Sequence, residues 1–517
     1  MPASSSNKLL LIHPPVAKPC EPPAGIARLA AALGEHEIPC EIIDANAEGM
    51  FFLLHRENAV PQDTWTKRAR RNLSRHLEAL RSPAVYSNPD RYRRAVADIN
   101  RVLKVSSPNP EIYVSLNDYQ DAGLAPVSSR DLLAAAAQSV RNPFYTYFTG
   151  PLADRIREKN PQVIGISVNY FSQALCAFAM IGVIRAACPS VRIVLGGGLI
   201  TSWLRQPQWQ NPFGALVDDL VAGPGEDFLL SLFGKVRAGK TGPVASCPDY
   251  GSFPWPLYLA PGPILPYSAA DGCYWRRCRF CPETAERNPY RPQPPERILT
   301  DLARLQKKTN PVLIHFLDNA LSPALLTMLS HNPPGVPWYG FARITEHLAD
   351  EDFCRRLRHS GCVMLKLGLE SGDQEVLDRL EKGIELTTAA RVLRSLKVAG
   401  IASYVYLLFG TPAEDRVAAR RTLAYVEAHA AEIDYLNIAL FNLPVFAAAS
   451  SGLEVRPFSA GDLSLYWDFV HPRGWNRREV RRFLAGEVRR NPAVAAILRR
   501  TPPAFTSNHA PLLSRGI

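Results

Sequence analysis

From residue 266 onward, apolar runs of strand length alternate with helical patterns. This alternation restricts the fold more than any other feature of the 517-residue chain. The candidate strands lie at 266–270, 312–317, 337–341, 363–368, 403–409 and 435–441, with an amphipathic stretch after each. Parallel strands joined through helices need long crossovers, so this rhythm predicts an α/β sheet, a partial (β/α)6 barrel with its chemistry on the loops after the strands. A second alternation precedes it. Residues 8–12 (KLLLI), the helical pattern Gly25–Leu33 and Cys40–Asp44 read as strand, helix, strand. The rhythm returns at Val163–Val168, a helix to about residue 187, Val191–Leu195 and Leu216–Ala222. These segments predict a doubly wound sheet whose ligand crevice lies beyond the carboxyl ends of its strands.

The expected division is 1–250 for the first domain, with a polar, Arg-rich helical insertion at about 50–145; 251–444 for the barrel; and 445–517 for a C-terminal helical region. Seven prolines between Pro243 and Pro266 mark the linker. The net charge of +11 arises from scattered runs, Lys67–Arg75, Arg91–Arg94 and Arg477–Arg490. Each fits the solvated side of a helix, and no nucleic-acid motif accompanies them, so no nucleic-acid partner is expected. No apolar run reaches 18 residues and no signal-peptide pattern is seen, so the expectation is a cytoplasmic protein without a transmembrane segment.

Seven of the ten cysteines are dispersed, and three stand together in Gly272-Cys273-Tyr-Trp-Arg-Arg-Cys278-Arg-Phe280-Cys281-Pro282, directly after a predicted strand. Three thiolates this close suit an iron–sulfur cubane with one iron left open. Structural zinc, which usually takes a fourth ligand, and free thiols are the alternatives that spacing leaves.

The segment resembles the cluster loop of the radical S-adenosylmethionine (SAM) enzymes, which hold a [4Fe-4S] cluster in CxxxCxxC. Here four residues rather than three separate the first two cysteines. The resemblance extends over about 265–440. It implies SAM-facing positions at Phe280, Asp318, Arg343, Glu370, Ser371, Gly410 and Glu414, in the family's order behind the cysteines. The first domain resembles the cobalamin-binding domain fused to many such enzymes, through Pro14, Pro15, Pro22–Ile26, Gly165–Ser167, Gly196, Gly197, Thr201, Gly223, Gly225 and Glu226. Asp44, Asn46 and Gly49 keep the DxHxxG spacing, with Asn46 where some cobalamin proteins supply a histidine to cobalt. The resemblance therefore implies cobalamin held without that histidine.

The resemblance implies reductive cleavage of SAM to a 5′-deoxyadenosyl radical, with methyl transfer to an unactivated carbon as the commonest outcome. Cyclisation or rearrangement without methyl transfer is the alternative, and an electron-transfer or zinc-binding protein lies further off. An external one-electron reductant such as flavodoxin or ferredoxin is implied. The substrate class (small molecule, lipid or peptide) is left open. Tyr466, Trp467, Phe469, Trp475, His471 and His509 are candidates to line or cap the substrate cavity.

Overall fold

A computed structural model describes residues 9–56, 63–107, 109–207, 209–236, 246–448, 451–458, 461–503 and 510–513. They cluster into two compact units, 1–263 with 459–465, and 264–458 with 466–517.

In the first unit, β1 (Leu9–Ile12), β2 (Cys40–Ile43), β3 (Val163–Ser167), β4 (Arg192–Gly196) and β5 (Asp219–Leu220) form one parallel sheet in the order 2-1-3-4-5. The order reverses between β1 and β3, paired from Leu9↔Val163 to Ile12↔Ile166, and this is the switch point where such folds bind ligands. All four residues of β1 are buried, as expected of a strand with both faces covered. The helix Phe171–Ala187 is apolar nearly all round and correspondingly buried. A Cβ at its Gly182 would sit 2.2 Å from the Ala136 carbonyl oxygen, so only glycine lets the helix Ser129–Ala137 pack so closely.

The segment expected as an insertion forms helices Thr64–Arg71, Leu73–Leu80 and Pro89–Lys104, which bury Leu77, Leu80, Val96 and Ile99 among themselves. Its buried polar pair, His76 and Asp98 at 3.1 Å, is closed by Trp65 Nε1 donating to the same carboxylate.

In the second unit, β6 (Ile264–Tyr267), β7 (Leu313–Phe316), β8 (Trp338–Ala342), β9 (Cys362–Glu370), β10 (Ala402–Phe409) and β11 (Tyr435–Leu440) lie side by side in sequence order, all parallel. Several connecting helices begin just past a strand on a side-chain cap. Ser322, Asp373 and Asp415 accept the N–H groups of Leu325, Val376 and Ala418. These caps fix the loops at the carboxyl ends of the strands.

The C-terminal region does not stand apart from the barrel, since most of it clusters with the second unit while 459–465 clusters with the first. Before its helices Arg477–Phe483 and Pro492–Arg500 it contributes Val455–Pro457 and Tyr466–Phe469 to a three-stranded sheet with Leu443–Pro444 from the end of the barrel segment. No helix among the described residues is long and apolar enough to cross a membrane.

Candidate cluster loop and cofactor cavity

Cys273, Cys278 and Cys281 follow β6 in an irregular loop closed by the short helix Pro282–Ala285. Among the described residues no set of three His, Cys, Asp or Glu side chains stands at metal-ligand geometry. The three thiols are nonetheless electrostatic neighbours. Burial raises Cys281, backbone N–H groups of Thr284 and Glu283 lower it, and Cys278 and Cys273 raise it. Burial also raises Cys278, against the pull of Lys382 and Arg343. Cysteines on one short loop with cations beside them form a donor set that fits a soft, thiolate-ligated centre.

Arg343, just past β8, donates from Nη1 to Cys278 Sγ at 3.7 Å and from Nη2 to the Lys382 carbonyl. Its guanidinium lies 4.1 Å from the centre of the Trp275 ring. Lys382 Nζ donates to Glu370 Oε1 at 2.8 Å and stands 5.4 Å from the centre of the Phe280 ring. Phe280 itself packs on Val376, Leu380 and Ala418 beside Ala413. Trp275, Lys382 and Gly383 escaped the sequence reading. The only hints were a tryptophan in the four-residue spacer and a Lys-Gly turn about a hundred residues later.

The other SAM-facing candidates divide by what their side chains already hold. Glu370 leaves β9 at a register shift with φ +68°. Asp318 is buried and accepts the Ala269 N–H at 3.0 Å, so its carboxylate holds the chain leading into the cysteine loop. Burial pushes its carboxyl up to about 7 against the stabilising N–H groups of Ala269, Asp318 and Ala270. The Ser371 hydroxyl meets Thr422 Oγ1 at 3.0 Å and accepts the Asp373 N–H. Glu414 accepts the Gly410 N–H at 2.5 Å and the Trp475 indole N–H at 2.9 Å, and burial raises it to about 7. His471 binds the Thr411 carbonyl at 2.9 Å. Trp467, Phe469, His471 and Trp475 close over the loops after β10 and β11, leaving about 20 Å³ free between them. Tyr466 opens the short strand that carries Trp467 and Phe469, and His509 lies outside the described residues.

Glu414 supports a prediction. An unfolded glutamate titrates near its ordinary value, the folded one near 7. Between these the folded state keeps a proton that the unfolded state has lost, so this contribution is full at low pH and disappears as pH rises through about 7. Glu414→Gln is therefore expected to raise Tm relative to wild type at pH 8 and to change it little at pH 5. Thermal melts at the two pH values check this, and an equal effect at both refutes it.

In the first unit a cavity of about 250 Å³ opens at the switch point. It is lined by Gly25, Gly165, Ser167, Gly196, Gly197, Gly223, Gly225 and Glu226 of the sequence-derived set, with Leu11, Ile26, Leu29 and Val194 as apolar walls. A Cβ at Gly25 or Gly223 would meet no atom within 4 Å, so glycine leaves free space there. Arg28 and Glu226 face each other across 3.5 Å on its rim. A cavity of this size takes one part of a bulky cofactor, such as its nucleotide tail, rather than the whole.

The remaining candidates do not line this cavity. Asp44 and Asn46 fall at the start of the helix Ala45–His55 rather than in an open loop. Asp44 caps that helix at Ala47 N–H and accepts the Tyr258 hydroxyl at 2.6 Å. Buried Asn46 accepts the Ala17 N–H at 2.8 Å, and Gly49 lies against the rings of Phe144 and Tyr147. Pro14 gives its carbonyl to Gln173, Pro15 follows it in the same loop, and Thr201 accepts the Gly223 N–H at 2.9 Å.

Residues 267–425 match the model of the radical SAM superfamily. That segment is a little under a third of the chain. An uncharacterised methyltransferase of Pyrococcus horikoshii is 23% identical over 320 residues, 56% of this chain and 68% of the relative. The anaerobic magnesium-protoporphyrin IX monomethyl ester cyclase of Cereibacter sphaeroides is 22% identical over 372 residues, 62% of this chain and 57% of the relative, so this chain spans little more than half of it. Among solved structures, the cobalamin-dependent SAM radical enzyme OxsB with aqua-cobalamin bound matches with a TM-score of 0.52 at 14% identity, covering 81% of this chain and 52% of that one. That likeness shows a shared fold.

Proposed function

We propose that the chain is a cobalamin-dependent radical SAM enzyme that methylates an unactivated carbon. The observation that carries this reading is the cysteine loop Cys273–Cys281 at the carboxyl edge of a six-stranded parallel sheet, with a cation on Cys278. Cys273, Cys278 and Cys281 would hold three irons of a [4Fe-4S] cluster. Glu370, already turned inward on Lys382, would receive polar groups of SAM, and Phe280 would offer an apolar face. Asp318, Ser371, Gly410 and Glu414 would shape that site by fixing its loops rather than through free side chains. The Gly-lined cavity of the first unit would take the tail of cobalamin, and no imidazole is offered from position 46. When bound, these groups supply an electron for SAM cleavage and a transferable methyl group. The protein binds and orients them and excludes water. All ten cysteines are free thiols, which suits a reducing compartment and the cytoplasmic location we infer. An external one-electron reductant such as flavodoxin or ferredoxin would be the partner.

Methyl transfer is favoured by the name of the Pyrococcus relative, and the cyclase gives the second reading, ring formation without methyl transfer. The test is metal analysis and an optical spectrum after anaerobic reconstitution, incubation with hydroxocobalamin and desalting. About four irons and about one cobalt per chain are expected. Iron without cobalt removes the cobalamin half of the proposal and moves the assignment toward rearrangement. No iron removes the proposal.

A further inference from the structure

The four-residue spacer between Cys273 and Cys278 carries the Trp275 indole, which stacks on the Arg343 guanidinium beside Cys278 Sγ. Arg276 has φ +52°, and the turn it makes accompanies the reach of Trp275 toward the turn Glu381–Gly383. There Trp275 Nε1 donates to the Glu381 carbonyl at 3.1 Å. The indole lies so close to Gly383 that a Cβ there would fall 2.2 Å from the ring, and Gly383 has φ +63°. A side chain at 383 would therefore push the indole away. The Arg343 guanidinium stacks on this same ring at 4.1 Å, with its two terminal nitrogens engaged by Cys278 Sγ and the Lys382 carbonyl.

Arg343 is only 7% exposed and forms no ion pair with a carboxylate among the described residues. A buried guanidinium without a carboxylate needs another source of negative charge to offset its desolvation. The neighbouring sulfur supplies that charge once it is a metal-bound thiolate. Hydrogen bonds and positive charge at a ligand sulfur favour the more negative, reduced cluster and raise its potential.

We propose that Trp275 and Arg343 form a positioning clamp in which the indole, seated on Gly383, holds the guanidinium against Cys278 Sγ and so sets the reduction potential of the cluster bound there. This rests on the cluster reading above. It assigns Arg343 to the thiolate rather than to SAM, where its place in the sequence had put it.

The test is an EPR-monitored redox titration of the anaerobically reconstituted full chain without SAM, together with SAM affinity measured separately. In Arg343→Gln the ratio of reduced to oxidised cluster at a fixed potential is expected to fall about tenfold, a shift of about 59 mV to more negative values. Gly383→Ala keeps both side chains and only displaces the indole, so it is expected to shift the potential in the same direction. Trp275→Phe, which keeps a ring under the guanidinium, is expected to stay near wild type. Wild-type potential in cluster-loaded Arg343→Gln or Gly383→Ala overturns the proposal, as does loss of SAM affinity with no change in potential. A wild-type chain that takes up no iron overturns the functional reading and this inference with it. The two failures are thereby told apart.

Discussion

Replacing Cys278 by serine is expected to strip the chain of its cluster and to lower SAM cleavage more than about 1000-fold, which is about 4 kcal/mol in the barrier. Serine conserves volume but offers a hard hydroxyl in place of a soft thiolate, and iron–sulfur clusters are held by thiolates. Cys278 is the most deeply set of the three and the one that Arg343 contacts. Its loss leaves the guanidinium facing an atom that carries little charge. Cys273→Ser and Cys281→Ser should have the same effect, because three ligands leave none to spare. The controls are Cys354 and Cys362, buried thiols near the amino end of β9 or on the helix Glu351–His359, where Cys354 Sγ donates to the Leu348 carbonyl at 3.2 Å. Serine at either of these should leave iron content unchanged. Iron and sulfide analysis with single-turnover SAM cleavage decides it. Full iron in Cys278→Ser, or equal iron loss in a control, would remove the cluster from this loop.

The barrel was legible because each of its strands is a short apolar run flanked by helical pattern, and successive strands joined by a helical crossover commonly lie side by side. Boundaries were less legible. The first barrel strand was expected at 266–270 and lies at Ile264–Tyr267, with the chain beyond it drawn toward Asp318 through the Ala269 N–H. Leu216–Ala222 shrinks to Asp219–Leu220, since the N–H groups of Leu216 and Val217 turn back onto the Phe213 carbonyl. Asp44 to Gly49 reads as a loop only when its spacing is matched to a ligand motif. Read as an aspartate before Ala-Asn-Ala-Glu, it is an ordinary helix cap, and the helix is what forms. The acidic site residues show a deeper limit. Sequence places Asp318 and Glu414 at strand ends, yet it does not say whether a carboxylate there faces a ligand or accepts N–H groups of its own chain. Both here do the second. The docking of Trp275 on Gly383 joins residues far apart in the chain through backbone shape, which no local pattern reports.

Gly197→Ala is expected to destabilise the first unit by about 2–4 kcal/mol and to abolish cobalamin retention. Two independent costs meet at this residue. Its φ of +104° lies where a side chain is strained, and an added Cβ would fall 2.4 Å from the Val168 oxygen and 2.8 Å from the Val168 nitrogen. These are backbone atoms between β3 and the helix Phe171–Ala187, so they have no rotamer through which to yield. Val168 N–H donates to the Gly196 carbonyl at 2.8 Å, and its carbonyl accepts the Leu199 N–H at 3.2 Å. Relief of the clash would therefore open both bonds that tie the ends of β3 and β4 together, on the wall of the cavity itself. Gly223→Ala separates the two costs. Its φ of +77° carries the strain, but nothing lies within 4 Å of its Cβ position, so only about 1–2 kcal/mol is expected there. Chemical unfolding of both variants, followed by cobalt retention after desalting, reads the difference. Equal losses in the two would mean that backbone strain alone makes these glycines necessary. A larger loss in Gly197→Ala, accompanied by loss of cobalt, would show that the close approach of β3 and β4 is what keeps the cavity open for its ligand.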